Sequence, residues 1–373
     1  MNVISSFSGY LYFLKKIKLT KKKKVIFYSE SKNYRNYFIN LINALSKNDH
    51  ITVTYLTSDQ NDMDLIEQNI KPIFIGNGFF RFLLFIFLKC DMLIMTLTDL
   101  DNHEIKKSKN CKNYLYVFHS LVSTHKTYTH NAFKNFDIIL TNGEYQKTEL
   151  EYCEELYNLP KKKIINTGYM YLEKLKRERE NNTNLKRILF APSWNKLRNN
   201  LFNDHSNEVI DRLIDKKFIV TLRTHPELIK RSNKKITFLK KKYENNENFE
   251  LNTDISNLET LNNSFILITD NGGMALEYVL VQKKPVIFID YADKVHNNFY
   301  EKIKLDALED KFKKRFGFTI QIDDLKNIDL KVQEALVNFE KNKNLINSFA
   351  HDNGVILDNQ TLNAQKTILN LLD

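Results

Sequence analysis

The sequence predicts an α/β protein of two Rossmann-like domains with mostly parallel sheets, and three observations carry that prediction. The chain has 373 residues, and chains of roughly 300–400 residues more often divide into two domains than build one very large core. Short apolar runs alternate with segments of helical length, the pattern of parallel strands covered by helices on both faces. The alternation stops once, in the charged and Asn-rich stretch LEKLKRERENNTNLKR at 172–187, and then restarts.

Taken in order, residues 1–24 form a basic leader in which Phe7, Tyr10, Leu11, Leu14 and Ile17 recur at helical spacing beside Lys15, Lys16, Lys18 and Lys21 to Lys24. Two readings fit it: a helix lying in an anionic membrane surface, or a helix docked on its own protein with a solvated lysine run. The first domain, 25–170, is expected to begin with KKVIFYSE as a strand, Tyr34 to Leu45 as a helix, ITVTYLT and KPIFIG as strands, a helix over Phe79 to Lys89, and DMLIMT as a strand. It continues with the strand YLYVFHS, a helix around Lys126 to Phe136, the strand DIILT, a helix around Tyr145 to Tyr157, and IINTG. After a linker at 171–186, the second domain, 187–335, reads as RILFAPS, a helix near Val209 to Ile214, FIVTLRTHPE, FELNT, a short helix near Leu258, FILITD, a helix from Gly273 to Val281, and KPVIFID. FGFTIQI is its last strand, and helices over 336–373 are expected to pack back on the first domain.

Composition narrows the class. Hydrophobic residues make up 42% and aromatics 12%, enough to bury a core, which excludes global disorder. Lys plus Arg outnumber Asp plus Glu by 56 to 45, a balance that favours nucleotides, phosphopolymers or an acidic membrane surface, or that reflects only lysine spread over a solvated surface. The stretch FFRFLLFIFLKCDMLIMTL is interrupted by Arg81, Lys89 and Asp91, well short of the ~20 residues that span a bilayer, and reads as a buried helix followed by a strand. Cys90, Cys111 and Cys153 show neither CxxC nor Cys/His ligand spacing, and with no signal peptide at the start they point to free thiols in a cytoplasmic protein. Asp99 and Asp101, with His103 nearby, suit a capped turn better than a metal site. Phosphate-loop, GxSxG and GxGxxG signatures are missing, which argues against NTPase, hydrolase and dinucleotide chemistry, and no nucleic-acid partner is expected.

The polar motifs fall at strand ends: His119-Ser120, Pro192-Ser193-Trp194, Arg223-Thr224-His225-Pro226 and Asp270-Asn271-Gly272-Gly273. Open parallel sheets bind ligands at the carboxyl ends of their strands, so two facing domains would hold one in the cleft between them. Only 9 glycines occur in the chain, yet two adjoin where a strand hands over to a helix. Either they let a phosphate approach the unpaired amides of a helix start, with Asn271 as N-cap, or they relieve a tight turn. Glu277, one turn along, either accepts hydrogen bonds from a ribose diol or is solvated. Arg223 and His225 suit charge-assisted hydrogen bonds to a diphosphate. His119, with Ser120, Ser123, Thr124 and His125 close behind, suits a general base acting on a hydroxyl, although a lone strand-end histidine is more often structural.

Taken together, ILFAPSWN, the Arg-x-His-Pro at 223–226 and LITDNGGMALEYVLVQKKPVIFID resemble the CDP-glycerol glycerophosphotransferase family, which makes and primes wall teichoic acid and capsule polymers. MTLTDLDN, YVFHSLVSTHKTYTHNAF and FDIILTNGEYQKTEL resemble its first domain, so the likeness runs from about residue 90 to 295. It implies a GT-B fold with a central cleft, and transfer of glycerol phosphate or ribitol phosphate from a CDP-linked donor to a hydroxyl of a glycan, lipid-linked or polymer acceptor, with release of CMP. It implies no cofactor beyond that donor substrate, and peripheral attachment to the cytoplasmic face of the membrane. By position, His119 falls on the family's base and His225 on the histidine that handles the donor phosphates. Ser193, Trp194, Arg223, Thr269, Asp270, Asn271, Gly272, Gly273, Met274 and Glu277 fall on donor-binding segments, and Ser120, Ser123, Thr124 and His125 on the acceptor side. The sequence departs from the family in three places. Gly272 and Gly273 replace two phosphate-contacting serines, so backbone amides would have to stand in for hydroxyls; Glu277 replaces an aspartate; and Ser120 replaces a glycine. A nucleotide-sugar glycosyltransferase, an epimerase and a non-catalytic glycopolymer-binding protein are the alternatives.

Overall fold

The structure, a computed structural model, describes the chain apart from residues 1, 19–20, 65–69, 102–104, 196–199, 255–257 and 292–294, with backbone alone at 2–4 and 16–18. His103 and the side chains of Lys16, Ile17 and Lys18 therefore lie outside the described residues. The chain forms two compact units. The first comprises Met1–Ser120, Thr129–Lys174 and Gly354–Asp373; the second comprises Leu121–Tyr128 and Leu175–Asn353.

The first unit is built on a seven-stranded sheet of β1 (Lys23–Ser29), β2 (Ile51–Thr57), β3 (Ile73–Phe74), β4 (Cys90–Met95), β5 (Cys111–Val117), β6 (Ile138–Thr141) and β7 (Lys163–Asn166). Its order is β3-β2-β1-β4-β5-β6-β7, with neighbours parallel throughout. The chain thus winds one way from β1 and the other way from β4, and the winding reverses between these two central strands. Val25, Phe27, Val53, Tyr55, Met92 and Ile94 are buried with Leu41, Ile42 and Leu45 of the helix Ile39–Ser46 and with Ala364, Ile368 and Leu372 of the last helix, Gln360–Leu372. Apolar runs covered on both faces are what a parallel sheet requires.

The second unit repeats the plan with β8 (Asn184–Phe190), β9 (Ile219–Arg223), β10 (Phe249–Asn252), β11 (Ser264–Thr269), β12 (Val286–Asp290) and β13 (Gly317–Gln321). The order β10-β9-β8-β11-β12-β13 places the reversal between β8 and β11, again with all neighbours parallel. Its core joins Ile188, Phe190, Val220, Leu222, Ile266 and Ile268 to Val209, Ile210 and Leu213 of the helix Leu201–Asp215.

Several expected elements take a different form. The helix expected from Tyr34 to Leu45 is broken: a short turn of helix at Lys32–Arg35, capped by Ser31, ends before Ile39–Ser46 begins. The helix expected at Lys126 to Phe136 is confined to Thr124–Thr127. Beyond it Ala132, Lys134 and Phe136 donate to carbonyls three residues back, as turns do, which suits a stretch rich in Thr and Asn. The helix over 79–89, expected to be buried, runs from Phe79 to Phe87 but leaves both of those rings exposed. The leader helix, Asn2–Lys18, docks through Ser6, Gly9 and Phe13. A side chain at Gly9 would collide with the Phe74 carbonyl. Phe7 and Leu11, on the expected apolar stripe, stay exposed. Among the described residues no helix is long and apolar enough to cross a membrane. Asp99 and Asp101 adopt left-handed backbone with φ of 60° and 69°, as turn residues do. Cys90 and Cys111, distant in sequence, lie in register on β4 and β5 as free thiols with Sγ atoms 3.2 Å apart.

Candidate active site

In the second unit the polar strand ends collect at the reversal. Beyond β8 the chain is fastened to β11. Ala191 N–H donates to the Ile268 carbonyl at 2.9 Å, Thr269 Oγ1–H donates to the Ala191 carbonyl at 2.7 Å, and Ser193 N–H donates to Asp270 Oδ1 at 2.7 Å. Ser193 and Asp270 are both buried, so this charge-assisted bond is protected from competing water. Ser193 Oγ is buried too and has no hydrogen-bond partner among the described residues, a state that buried hydroxyls rarely tolerate.

Gly272 lies alongside. A Cβ there would be 3.8 Å from Ser193 Cβ, so space does not demand a glycine. The backbone does: Gly272 has φ 143° and ψ 161°, a region that only glycine enters at low cost. The N-cap of the helix Gly273–Glu277 is therefore Gly272 and not Asn271, and Gly272 has no side chain with which to cap it. The turn through Gly272 delays the helix by one residue and moves Asn271 out of capping position. The amide end of this helix carries partial positive charge next to Ser193. Met274 and Glu277 are half-buried on the helix, which continues as a π-helical turn over Tyr278–Gln282. Tyr278 Oη–H anchors that turn by donating to the Ser264 carbonyl at 3.0 Å.

His225 is exposed and caps the helix Pro226–Arg231 with its own ring, Nδ1 accepting the Glu227 N–H at 3.1 Å. An accepting Nδ1 carries no proton, so the neutral imidazole holds its proton on Nε2. Pro226 occupies the first helical position, where its missing N–H is harmless. Trp194 gathers the surrounding rings: His225 lies 6.2 Å away at 20°, and His296 5.1 Å away at 64°. The Arg231 guanidinium stands 5.6 Å over the indole. Neither His296 nor Arg231 was expected, since each is a single polar residue in a polar segment with no motif around it. Arg223 departs from expectation. It is buried, with Nη1–H donating to Thr260 Oγ1 at 2.8 Å, because β9 is buried along its last four residues. It ties β9 to the helix Glu259–Asn263.

In the first unit His119 follows β5 and is half-buried. Tyr169 Oη–H donates to the His119 carbonyl at 3.1 Å, and Asn142 Nδ2–H donates to the Ser120 carbonyl at 2.8 Å, fixing the strand exit. Tyr34 and Tyr37 bring their rings to 5.3 and 5.8 Å from the imidazole. This tyrosine setting was not anticipated, because its members come from stretches of the unit far apart in sequence. Ser123, Thr124 and His125 fall outside the first unit. All three are buried and grouped with the second unit. Ser123 Oγ accepts the Leu308 N–H at 2.7 Å, satisfying a free amide at the start of the helix Leu308–Phe316. Its own N–H donates to Glu309 Oε2 at 2.9 Å, and Asn297 Nδ2–H donates to the His125 carbonyl at 2.9 Å. The hydroxyl-rich loop therefore splits: His119 and Ser120 stay with one unit, and the remainder holds the other together.

A family model described as CDP-Glycerol:Poly(glycerophosphate) glycerophosphotransferase matches residues 10–310. The fold is similar to that of a wall teichoic acid polymerase TagF variant soaked with CDPG, with a TM-score of 0.60 at 14% identity over 99% of this chain and 98% of that one. It is also similar to a UDP-GlcNAc 2-epimerase from Neisseria meningitidis bound to UDP-GlcNAc, with a TM-score of 0.59 at 14% identity over 93% of this chain and 100% of that one. A glycosyltransferase from Rickettsia africae gives a TM-score of 0.52 at 12% identity over 95% and 100% of the two chains. At such identities these likenesses show the fold, that of the GT-B class, and nothing finer. No curated protein matches in sequence.

Proposed function

Because the chain belongs to the CDP-glycerol:poly(glycerophosphate) glycerophosphotransferase family, we propose that it transfers glycerol phosphate, or ribitol phosphate, from a CDP-linked donor to a hydroxyl of a glycan, lipid-linked or polymer acceptor in the synthesis of a teichoic acid-like or capsular polymer. The observation that carries this reading is the strand reversal of the second unit, where a helix start whose N-cap is a glycine lies beside the buried Ser193 and Asp270. Such a helix end attracts phosphate through its amides and its dipole. Gly272 and Gly273 thus replace side-chain hydroxyls by backbone N–H groups, without loss of the anion site.

The chemistry follows from the groups present. His119 takes the proton of the acceptor hydroxyl as its oxygen attacks the β-phosphorus of the donor. The bond from that phosphorus to the oxygen bridging the two phosphates breaks, and CMP leaves with that oxygen. His225, its proton held on Nε2 by the bond at Nδ1, donates to the phosphate oxygens on which charge develops, and the Gly272-Gly273 helix end shares that charge. Asp270 and Thr269 position Ser193 and the helix start without touching substrate. Glu277 receives the ribose diol. No cofactor takes part in this scheme.

The test is product identity. The purified chain, given CDP-glycerol or CDP-ribitol with a membrane extract as acceptor, is expected to release CMP, and calorimetry is expected to show tighter binding of CDP than of UDP. Preference for UDP, with UDP released from a UDP-sugar, would replace this reading with a glycosyltransferase; failure to bind either nucleotide would leave a glycopolymer-binding protein.

Peripheral attachment to the cytoplasmic face of the membrane is part of the proposal. Exposed Phe7, Leu11 and Tyr12 of the leader helix and exposed Phe79 and Phe87 of the helix Phe79–Phe87 support it, as does the contact of Phe7 with Phe80 at 5.2 Å that links the two helices. Binding to phosphatidylglycerol vesicles is expected to fall at least tenfold when Leu11→Asp and Phe79→Asp are combined, an estimate on the order of 1.4 kcal/mol; equal binding would exclude this surface.

A further inference from the structure

At the strand reversal of the first unit the side chains that meet are aromatic. Tyr34, in the short helix Lys32–Arg35, and Tyr37, just beyond it, lie in the segment after β1, His119 lies in the loop after β5, and β4 runs between those two strands. The rings are therefore assembled at the carboxyl ends of β1 and β5, on either side of β4 and next to the reversal between β1 and β4, the end of an open parallel sheet at which ligands bind. Tyr34, Tyr37 and His119 are each half-buried, so each keeps part of its surface in solvent. Buried Tyr169 and Tyr171 hold the arrangement: Tyr37 stacks on Tyr169 at 6.2 Å and 20°, and lies 5.0 Å from Tyr171.

Charge at this site discriminates between ligand classes. Arg35 pairs with buried Asp62 at 3.0 Å, and Lys32 pairs with Asp64 at 3.1 Å. The cations on the segment after β1 are thus each matched by a carboxylate, and Lys174, which reaches the same segment, donates to Asn36 Oδ1 at 2.7 Å, so a phosphate-rich chain would have to compete with Asp62, Asp64 and Asn36 for them. A neutral sugar ring has no such competitor. Its C–H bonds carry partial positive charge and complement the negative face of an aromatic ring, while its hydroxyls extend sideways toward polar groups.

We infer that the first unit holds a terminal sugar ring of a glycan acceptor, with Tyr34 and Tyr37 as its platform and His119 beside one of its hydroxyls. The fate of that hydroxyl rests on the phosphotransferase reading; the binding of the ring does not. An acceptor whose growing end is only glycerol phosphate is the substrate this platform disfavours.

Saturation-transfer NMR on the full chain, without donor, separates the two claims. The probes are the methyl glycosides of a neutral hexose and of an N-acetylhexosamine, with glycerol 3-phosphate as the polyol phosphate control. Saturation is expected to reach the ring C–H protons of a glycoside, to persist in Tyr37→Phe, and to fall roughly threefold to tenfold in Tyr37→Leu and in Tyr34→Leu. Tyr34→Leu serves as the second variant if Tyr37→Leu does not fold, and CDP titration reports separately on the second unit. Undiminished transfer in a folded leucine variant, or transfer to glycerol 3-phosphate and to neither glycoside, would overturn the inference. Glycoside binding that follows the tyrosines in a protein that releases no CMP from CDP-glycerol would leave the sugar platform standing and remove the phosphotransferase reading instead.

Discussion

The two units share one topology, a parallel sheet whose winding reverses between central strands, yet their reversal points are made of different material. In the second unit the reversal is a backbone device: Ser193 N–H fixed on Asp270, Thr269 fixed on the Ala191 carbonyl, and Gly272 turning into the helix Gly273–Glu277. In the first unit it is a side-chain device, an imidazole among tyrosine rings. A doubly charged diphosphate is best held by fixed dipoles, whereas a neutral acceptor is best held by shape and aromatic surface. On the proposed reading, one fold serves two partners in a transfer reaction: topology sets where the ligands would bind, and the residues at the strand ends set which ligands.

The contrast breaks most severely at Asp270. Asp270→Ala leaves the buried Ser193 N–H without its acceptor, which costs about 3 kcal/mol, so the urea midpoint should fall sharply and CDP binding should disappear with it. An unchanged midpoint would mean that the second reversal is not held by this bond. Gly272→Ala is expected to do less. Forcing a side chain through φ 143° costs on the order of 1–3 kcal/mol, and CDP affinity should drop roughly tenfold as the helix start shifts. Gly273→Ala is the smallest and sharpest change. Gly273 is already helical, where alanine is favoured over glycine by up to ~1 kcal/mol. Gly273 is also buried, which offsets that preference, so the urea midpoint should change little while CDP affinity falls, the signature of a phosphate approaching the backbone; an unchanged midpoint with full affinity would mean that the paired glycines serve the turn alone.

The same contrast explains what was legible in the sequence. The second reversal depends on a glycine at a positive φ, a proline at a helix start and an acid at a strand end, residues whose roles are local, and Asp270-Asn271-Gly272-Gly273 and His225-Pro226 announce it. The first reversal depends on rings that meet only after the sheet has formed, and nothing near Tyr34 or Tyr37 points to His119. Strands were legible because both faces of a parallel sheet are buried and their apolar runs are continuous. Helices were less so. Ser31 and Asn36 bound a short turn of helix inside an otherwise helical pattern, and the Thr- and Asn-rich segment after Thr127 satisfies its backbone by turns. The burial of Arg223, Ser123 and His125 was not legible for one reason: contact with Thr260, Leu308 or Asn297 is decided by tertiary packing and leaves no local sign in the sequence.

The central claim is that donor and acceptor chemistry are divided between the two units, and one paired measurement on His119→Ala tests it most directly: CDP-glycerol affinity by calorimetry beside the rate of CMP release. The division predicts wild-type affinity with release slowed by roughly 10²–10⁴, the usual contribution of a general base. Loss of CDP-glycerol binding in this variant, or release at the wild-type rate, would contradict it.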